Sequence, residues 1–141
     1  MAKIIGHAKI VGMEDVIRRL KLCDNDAKKN RLLRRVLTFG AFPIWKQMKL
    51  NTPVKTGNLK KSISRIASRK NALVAVGARA GRRAKYDGYY VNWVVEGHKT
   101  RGGGQTKAND FISPAFENNK ELAVKRIEDK LIQLVIEKNF R

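Results

Sequence analysis

Cysteine occurs once in this chain, at Cys23. A lone thiol closes no disulfide within the subunit and completes no cysteine metal site, so a reducing compartment is expected. Histidine is nearly as scarce. His7 and His98 have no companion His, Cys or acid at ligand spacing, and neither a metal nor a cofactor is expected. No apolar run approaches the roughly 18 residues that mark a membrane span. The opening MAKIIGHAKIVGMED lacks the apolar core and cleavage pattern of a secretory signal. The expectation is a soluble protein that stays where it is made, with no membrane partner. Aromatic residues are 7% of the chain and gather in apolar runs instead of among Lys and Arg, which argues against a single-strand stacking surface. Catalytic sets are missing as well: there is no nucleophile–base pair and no pair of spaced carboxylates, so no enzyme is expected.

The largest absence is of acid. From Asp26 to Asp87 there is no intervening Asp or Glu, while Arg31, Arg34, Arg35, Lys46, Lys49, Lys55, Lys60, Lys61, Arg65, Arg69 and others fall inside that interval. Over the whole chain Lys+Arg 31 against Asp+Glu 12 gives a net charge of +19. Such a field draws polyanions: DNA, RNA or an acidic protein face. An acid-free block of this length is self-repelling, which favours an external anion over mere solvation.

What is present suffices for one domain. The 141 residues are 43% apolar, enough to bury a core. Residues 1–12 are weakly patterned; Ile4, Ile5, Ile10 and Val11 read as a short strand or an arm. Met13, Val16, Ile17 and Leu20 recur at helical spacing, and Asp24 or Asp26 is placed to cap the next helix. From Ala27 to about Leu50 a long helix is expected, with Leu33, Val36, Leu37, Gly40, Ile44 and Met48 on one face. Pro43 removes the donor to the Phe39 carbonyl, so a kink or break is expected near Gly40–Pro43. Phe42 and Trp45 read as packing residues. A helix-turn-helix is not evident, because no short turn leads into a compact second helix.

Asn51–Ile63, NTPVKTGNLKKSI, is where helical periodicity stops. Thr52-Pro53 ends a helix and Gly57-Asn58 suits a turn. Leu59–Ser68 and Ala72–Gly77 then read as strands of a hairpin joined by Arg69-Lys70-Asn71, with Ile63, Ile66, Leu73 and Val74 or Val76 toward the core. Residues 78–88, ARAGRRAKYDG, form a basic glycine-punctuated loop. Tyr89–Gly97 is a strand or a short buried helix, which periodicity does not separate. Glu96, beside so much positive charge, is expected in an internal ion pair. Residues 98–108, HKTRGGGQTKA, form a second loop; it lacks the Gly-Lys-Ser/Thr ending of a phosphate-cradling loop. FISPAF leads into a final helix, with Ser113 as cap, Pro114 at its first position and Glu117 and Glu121 near its start. Val124, Ile127, Leu131, Leu134 and Val135 make a stripe expected to pack on the sheet beside the long first helix, with Lys138 near the helix end. The fold class is α+β: a small antiparallel β-sheet covered on one face by a long helix from the N-terminal half and a C-terminal helix, with extended loops.

Three pieces stand in one order: TPVKTGNLKKSI after a long helix, YYVNWVVEGH after a hairpin and loop, and FISPAFE opening the terminal helix. This order resembles the HK97 gp10-like family of tailed-phage proteins. The matching residues are Thr52, Pro53, Val54, Thr56, Gly57, Leu59, Ser62 and Ile63; Tyr90, Val95, Glu96 and Gly97; and Phe111, Pro114, Ala115 and Phe116. The likeness runs over about residues 13 to 138. Lys55 stands where that family commonly has an acid, His98 where Thr is usual, and Asn109-Asp110 where a proline often precedes the Phe111 position.

The resemblance implies a structural virion protein of the neck, a tail-completion or head–tail connector component. It implies a homo-oligomeric ring around the DNA channel, present in the virion and in the host cytoplasm during assembly. The implied partners are copies of itself, connector, adaptor or head-completion proteins, tail-terminator or tail-tube proteins, and double-stranded DNA in the channel. Residues 1–141 make a single head–tail joining domain. Its expected contact elements are the 1–12 arm and the 78–88 and 98–108 loops. They carry Arg79, Arg82, Arg83, Lys85, Lys99, Arg101 and Lys107 as candidate partner or DNA contacts. The alternative from charge alone is a basic nucleic-acid-binding protein.

Overall fold

The computed structural model describes residues 26–81 and 84–139. The arm 1–12, the helix from Met13, Cys23, Asp24, Arg82 and Arg83 lie outside the described residues, as do the side chains of Val135 and Lys138.

Helix α1 spans Asp26–Gly40 and α2 spans Phe42–Asn51. Of the expected kink or break, the structure has a break, at Ala41, with Pro43 in the first turn of α2, where its missing donor costs nothing. The shared apolar face is real: Val36, Gly40, Ile44 and Met48 are buried along it. Helix α2 ends at Thr52, whose backbone N and Oγ1 both donate to the Met48 carbonyl, at 3.0 and 2.6 Å.

Residues from Leu59 do not begin a strand. Asn58–Ser62 is a short helix, α3, entered from Gly57 at φ 79°. Its first turn is closed by the Lys61 N–H on the Gly57 carbonyl, and the Ser62 hydroxyl donates to the Leu59 carbonyl. Leu59, Ser62 and Ile63 are all buried; their three- and four-residue spacing is helical and was mimicked by short-range alternation. Strand β1 is Ile63–Ala67 and β2 is Val74–Ala78, an antiparallel hairpin running from Ile63 opposite Ala78 to Ala67 opposite Val74. The tight connection is held by Ser68 Oγ, which accepts from the Lys70 and Asn71 amides. Ile63 and Val76 share the core face in this register. Ile66 falls on the other face and Leu73 is exposed, so neither joins the core.

Helix α4, Val91–Glu96, resolves the ambiguous aromatic run as a helix, with none of its residues fully buried. Helix α5, Ile112–Glu117, is separate from the last helix, α6, Lys120–Asn139. Ser113 is not the cap. Asp110 Oδ1 accepts from the Ile112 and Ser113 amides, at 3.0 Å each, and Pro114 is the third residue of α5. The stripe on α6 has α1 and α2 as its main partners, not the strands. The sheet's helical neighbours are α1, α2 and α3.

Two apolar clusters result. One joins Ile44, Met48, Leu59, Ile63, Phe111, Ala115 and Ala123, where α2, α3, β1 and α5 meet. The other joins Val36 and Leu131 with Leu33, Ile127 and Leu134 between α1 and α6. Gly40 permits that crossing: a Cβ there would stand 2.1 Å from Ile127 Cγ1 and 3.1 Å from the Ala123 carbonyl oxygen. The architecture is α+β, with helices in the majority.

Candidate interaction surface

Arg31, Arg34 and Arg35 follow one another at i, i+3 and i+4, so one side of α1 carries three guanidiniums. The hairpin brings two more. Together Arg31, Arg34, Arg35, Thr38 and Phe39 of α1, Arg65 and Ala67 of β1, and Ser68 and Arg69 of the turn line an open groove of about 580 Å³. Two of these arginines are structural. Arg34 Nη1 donates to the Ser68 and Arg69 carbonyls at 2.7 and 2.8 Å, and its Nε to the Asn30 carbonyl, tying the turn to α1. Arg65 Nη1 donates to the Thr38 carbonyl at 2.8 Å. Arg31, Arg35 and Arg69 are exposed, and their side chains bond to no other described residue. Among the described residues no carboxylate lines the groove.

Aromatic rings and cations interleave beside it, contrary to the reading from sequence. Arg126 lies 4.4 Å from the Phe39 centroid and 5.6 Å from that of Phe42. Arg65 lies 5.5 Å from Phe42 and 5.1 Å from Trp45, and Lys49 lies 4.5 Å from Trp45. Residues far apart in the chain make this ladder, which is why clustering along the sequence did not show it. Arg126 Nε is buried without a hydrogen-bond partner among the described residues, so the Phe39 ring face is its compensation. Trp45 is a packing residue as expected: half-buried, with Nε1 donating to the Ile63 carbonyl at 3.1 Å.

The described parts of the expected contact loops are held by their own bonds. In the 78–88 loop Asp87 Oδ1 accepts from the Gly81 and Tyr89 amides, and the Gly88 amide donates to the Arg79 carbonyl at 2.7 Å. Arg79 and Lys85 are exposed there. The 98–108 loop is a small hairpin with a bridge between Lys99 and Gln105, closed by the Thr106 amide on the His98 carbonyl. Lys99, Arg101 and Lys107 are exposed on it. Gly97 joins α4 to this hairpin at φ 74°, where a Cβ would meet the Thr106 carbonyl oxygen at 2.6 Å. Beside it, Tyr89 and Trp93 are mostly exposed, stacked edge to face at 5.8 Å, with His98 6.0 Å from Trp93. Glu96 is exposed, and among the described residues it has no ion-pair partner.

The motif residues divide by burial. Thr52, Leu59, Ser62, Phe111 and Ala115 are buried, and Tyr90 packs half-buried against the first cluster. Pro53 is half-buried, while Thr56, Glu96, Pro114 and Phe116 are exposed. Asp110, where the resembled family often has a proline, holds its carboxyl below the usual aspartate range. The causes, largest first, are hydrogen bonding to the Ser113 side chain, then to the Ser113 amide; burial works against them, and the Ile112 amide adds a still smaller lowering.

Among the described residues no three His, Cys, Asp or Glu side chains gather as metal ligands, and no helix is long and apolar enough to cross a membrane. The groove was missed from sequence as a site. The i, i+3, i+4 arginine spacing was legible, but pairing it with Arg65 and Arg69 needed the hairpin's position. In comparison with known proteins, residues 14–97 match the model of the HK97 gp10-like family, described as "Bacteriophage HK97-gp10, putative tail-component". No curated protein and no solved structure matches.

Proposed function

The chain belongs to the HK97 gp10-like family of bacteriophage tail components, and on that ground we propose that it is a structural protein of the phage neck. In this reading it completes the head–tail junction as a homo-oligomeric ring around the DNA channel and performs no reaction. The family match over residues 14–97 carries the proposal. The surface supports it. Leu50, Val54, Tyr89 and Trp93 are each more than half exposed, and large apolar side chains in that number suit burial against neighbours. The two loops project cations from frames that are already folded, so contact costs little ordering.

The rival reading, a free nucleic-acid-binding protein, draws on the ladder of Phe39, Phe42 and Trp45 among cations. Those ring faces are occupied by the protein's own Arg65, Arg126 and Lys49, which leaves little platform for bases. Electron cryomicroscopy of purified particles carrying a tagged copy of this protein tests the assignment. Ring density bearing the tag between head and tail is expected. A tag found only on the capsid shell or tail tip, or absent from particles, refutes it.

A further inference from the structure

Among the described residues, the arginine groove contains an unpaired sheet edge. The Ser68 amide donates to the Leu73 carbonyl and the Arg79 amide to the Ser62 carbonyl, one at each end of the hairpin. With the observed register, those bonds turn the backbone groups of Ser64 and Ile66 toward β2. The N–H and C=O of Ile63, Arg65 and Ala67 therefore face the opposite side. Ile63 is satisfied there, its carbonyl by Trp45 and its amide by Leu59. On that side the backbone groups of Arg65 and Ala67 bond to no described residue. Arg65 and Ala67 line the groove, between the guanidiniums of α1 and that of Arg69.

We propose that this groove binds an extended acidic segment of a partner protein, which adds to the β1 edge as a third strand and sets its carboxylates against Arg31, Arg35 and Arg69. Unpaired strand edges are templates for strand addition, with main-chain bonds giving affinity and alternate side chains giving specificity. Guanidiniums match carboxylates bidentately, and here Arg34 and Arg65 are already fixed by backbone carbonyls, so the groove is preorganised. The charge selects the guest. Five arginines line this groove and, among the described residues, no carboxylate does, so an acidic strand is drawn to it. A nucleic-acid strand satisfies the guanidiniums but has no regular row of donors and acceptors for Arg65 and Ala67. The inference deepens the assembly reading by naming what one interface takes. It is tested on the free protein in solution, so failure to form a ring and failure of this site are distinguishable.

The probe is a fluorescein-labelled peptide of alternating Glu and Val, followed by anisotropy at about 150 mM salt. The wild-type chain is compared with Arg31→Glu/Arg35→Glu and with Lys55→Glu/Lys125→Glu, a control carrying the same charge change at exposed residues that do not line the groove. Circular dichroism and thermal melting establish that each is folded. The groove variant is expected to bind about tenfold more weakly or worse, and the control within about threefold of wild type. A peptide N-methylated at alternate positions, which keeps its charge and loses its strand donors, is expected to bind at least about fivefold more weakly. The proposal is overturned if the wild type does not bind the peptide, or if both double variants weaken it equally. It is also overturned if N-methylation has no effect, or if an oligothymidine of matching length binds more tightly than the peptide and is lost in the same groove variant.

Discussion

Single residues carry much of this fold's specification, and Gly40 is the sharpest case. The α1–α6 crossing leaves no room for a methyl group against Ile127 and the Ala123 carbonyl. Gly40→Ala is expected to destabilise the chain by about 1–3 kcal/mol in chemical denaturation, with part recovered by adding Ile127→Val. Unchanged stability would mean that the two helices are not packed this closely. Asp110 gives a pH-dependent test. Its folded carboxyl titrates below the ordinary aspartate range because Ser113 and Ile112 bond the charged form. A depressed folded value means stability that is present above the unfolded value and lost as pH falls through the folded one. Relative to Asp110→Ala, the wild type should be more stable by about 1 kcal/mol at neutral pH. That margin should shrink as pH drops below about 4. A margin independent of pH would show that the carboxylate is not the cap.

At the scale of elements, the decisive feature is how the hairpin is fastened to the helices. Arg34 holds the turn by two carbonyls, Arg65 reaches back to Thr38, and Trp45 holds the Ile63 carbonyl. Trp45→Phe keeps most of the packing and removes the hydrogen bond, so a loss of about 1 kcal/mol is expected in thermal or urea unfolding. No loss would place the indole N–H in solvent. The same fastening explains what sequence reading caught and missed. The helix break at Gly40–Pro43 was legible because proline's missing donor acts locally, and the hairpin was legible from its turn residues. The helix Asn58–Ser62 was not, because five residues with Leu59 and Ser62 inward fit either period. The capping of α5 was misassigned because Ser113 and Asp110 both suit the role, and only geometry shows which oxygen reaches the free amides. The groove depended on tertiary placement throughout: Arg31 and Arg69 meet across a gap that no local pattern records.

For the whole molecule, the proposed contact surface is separable from the folded body. Substituting Lys99, Arg101 and Lys107 by Ser should leave unfolding within about 0.5 kcal/mol of wild type, since these side chains are exposed. Joining of heads to tails should nevertheless fall when such a gene replaces the natural one in an infected host. Normal joining would remove that loop from the contact surface. Light scattering coupled to size exclusion separates the two functional classes: assembly into a ring or into particles favours the neck component, and a monomer with tight, salt-sensitive DNA binding favours the rival. The most direct test is removal of the gene, followed by electron microscopy of the lysate. A neck component predicts filled heads and separate tails that do not unite until purified protein is added back. Intact, infectious particles with firmly joined heads and tails in its absence would contradict that role.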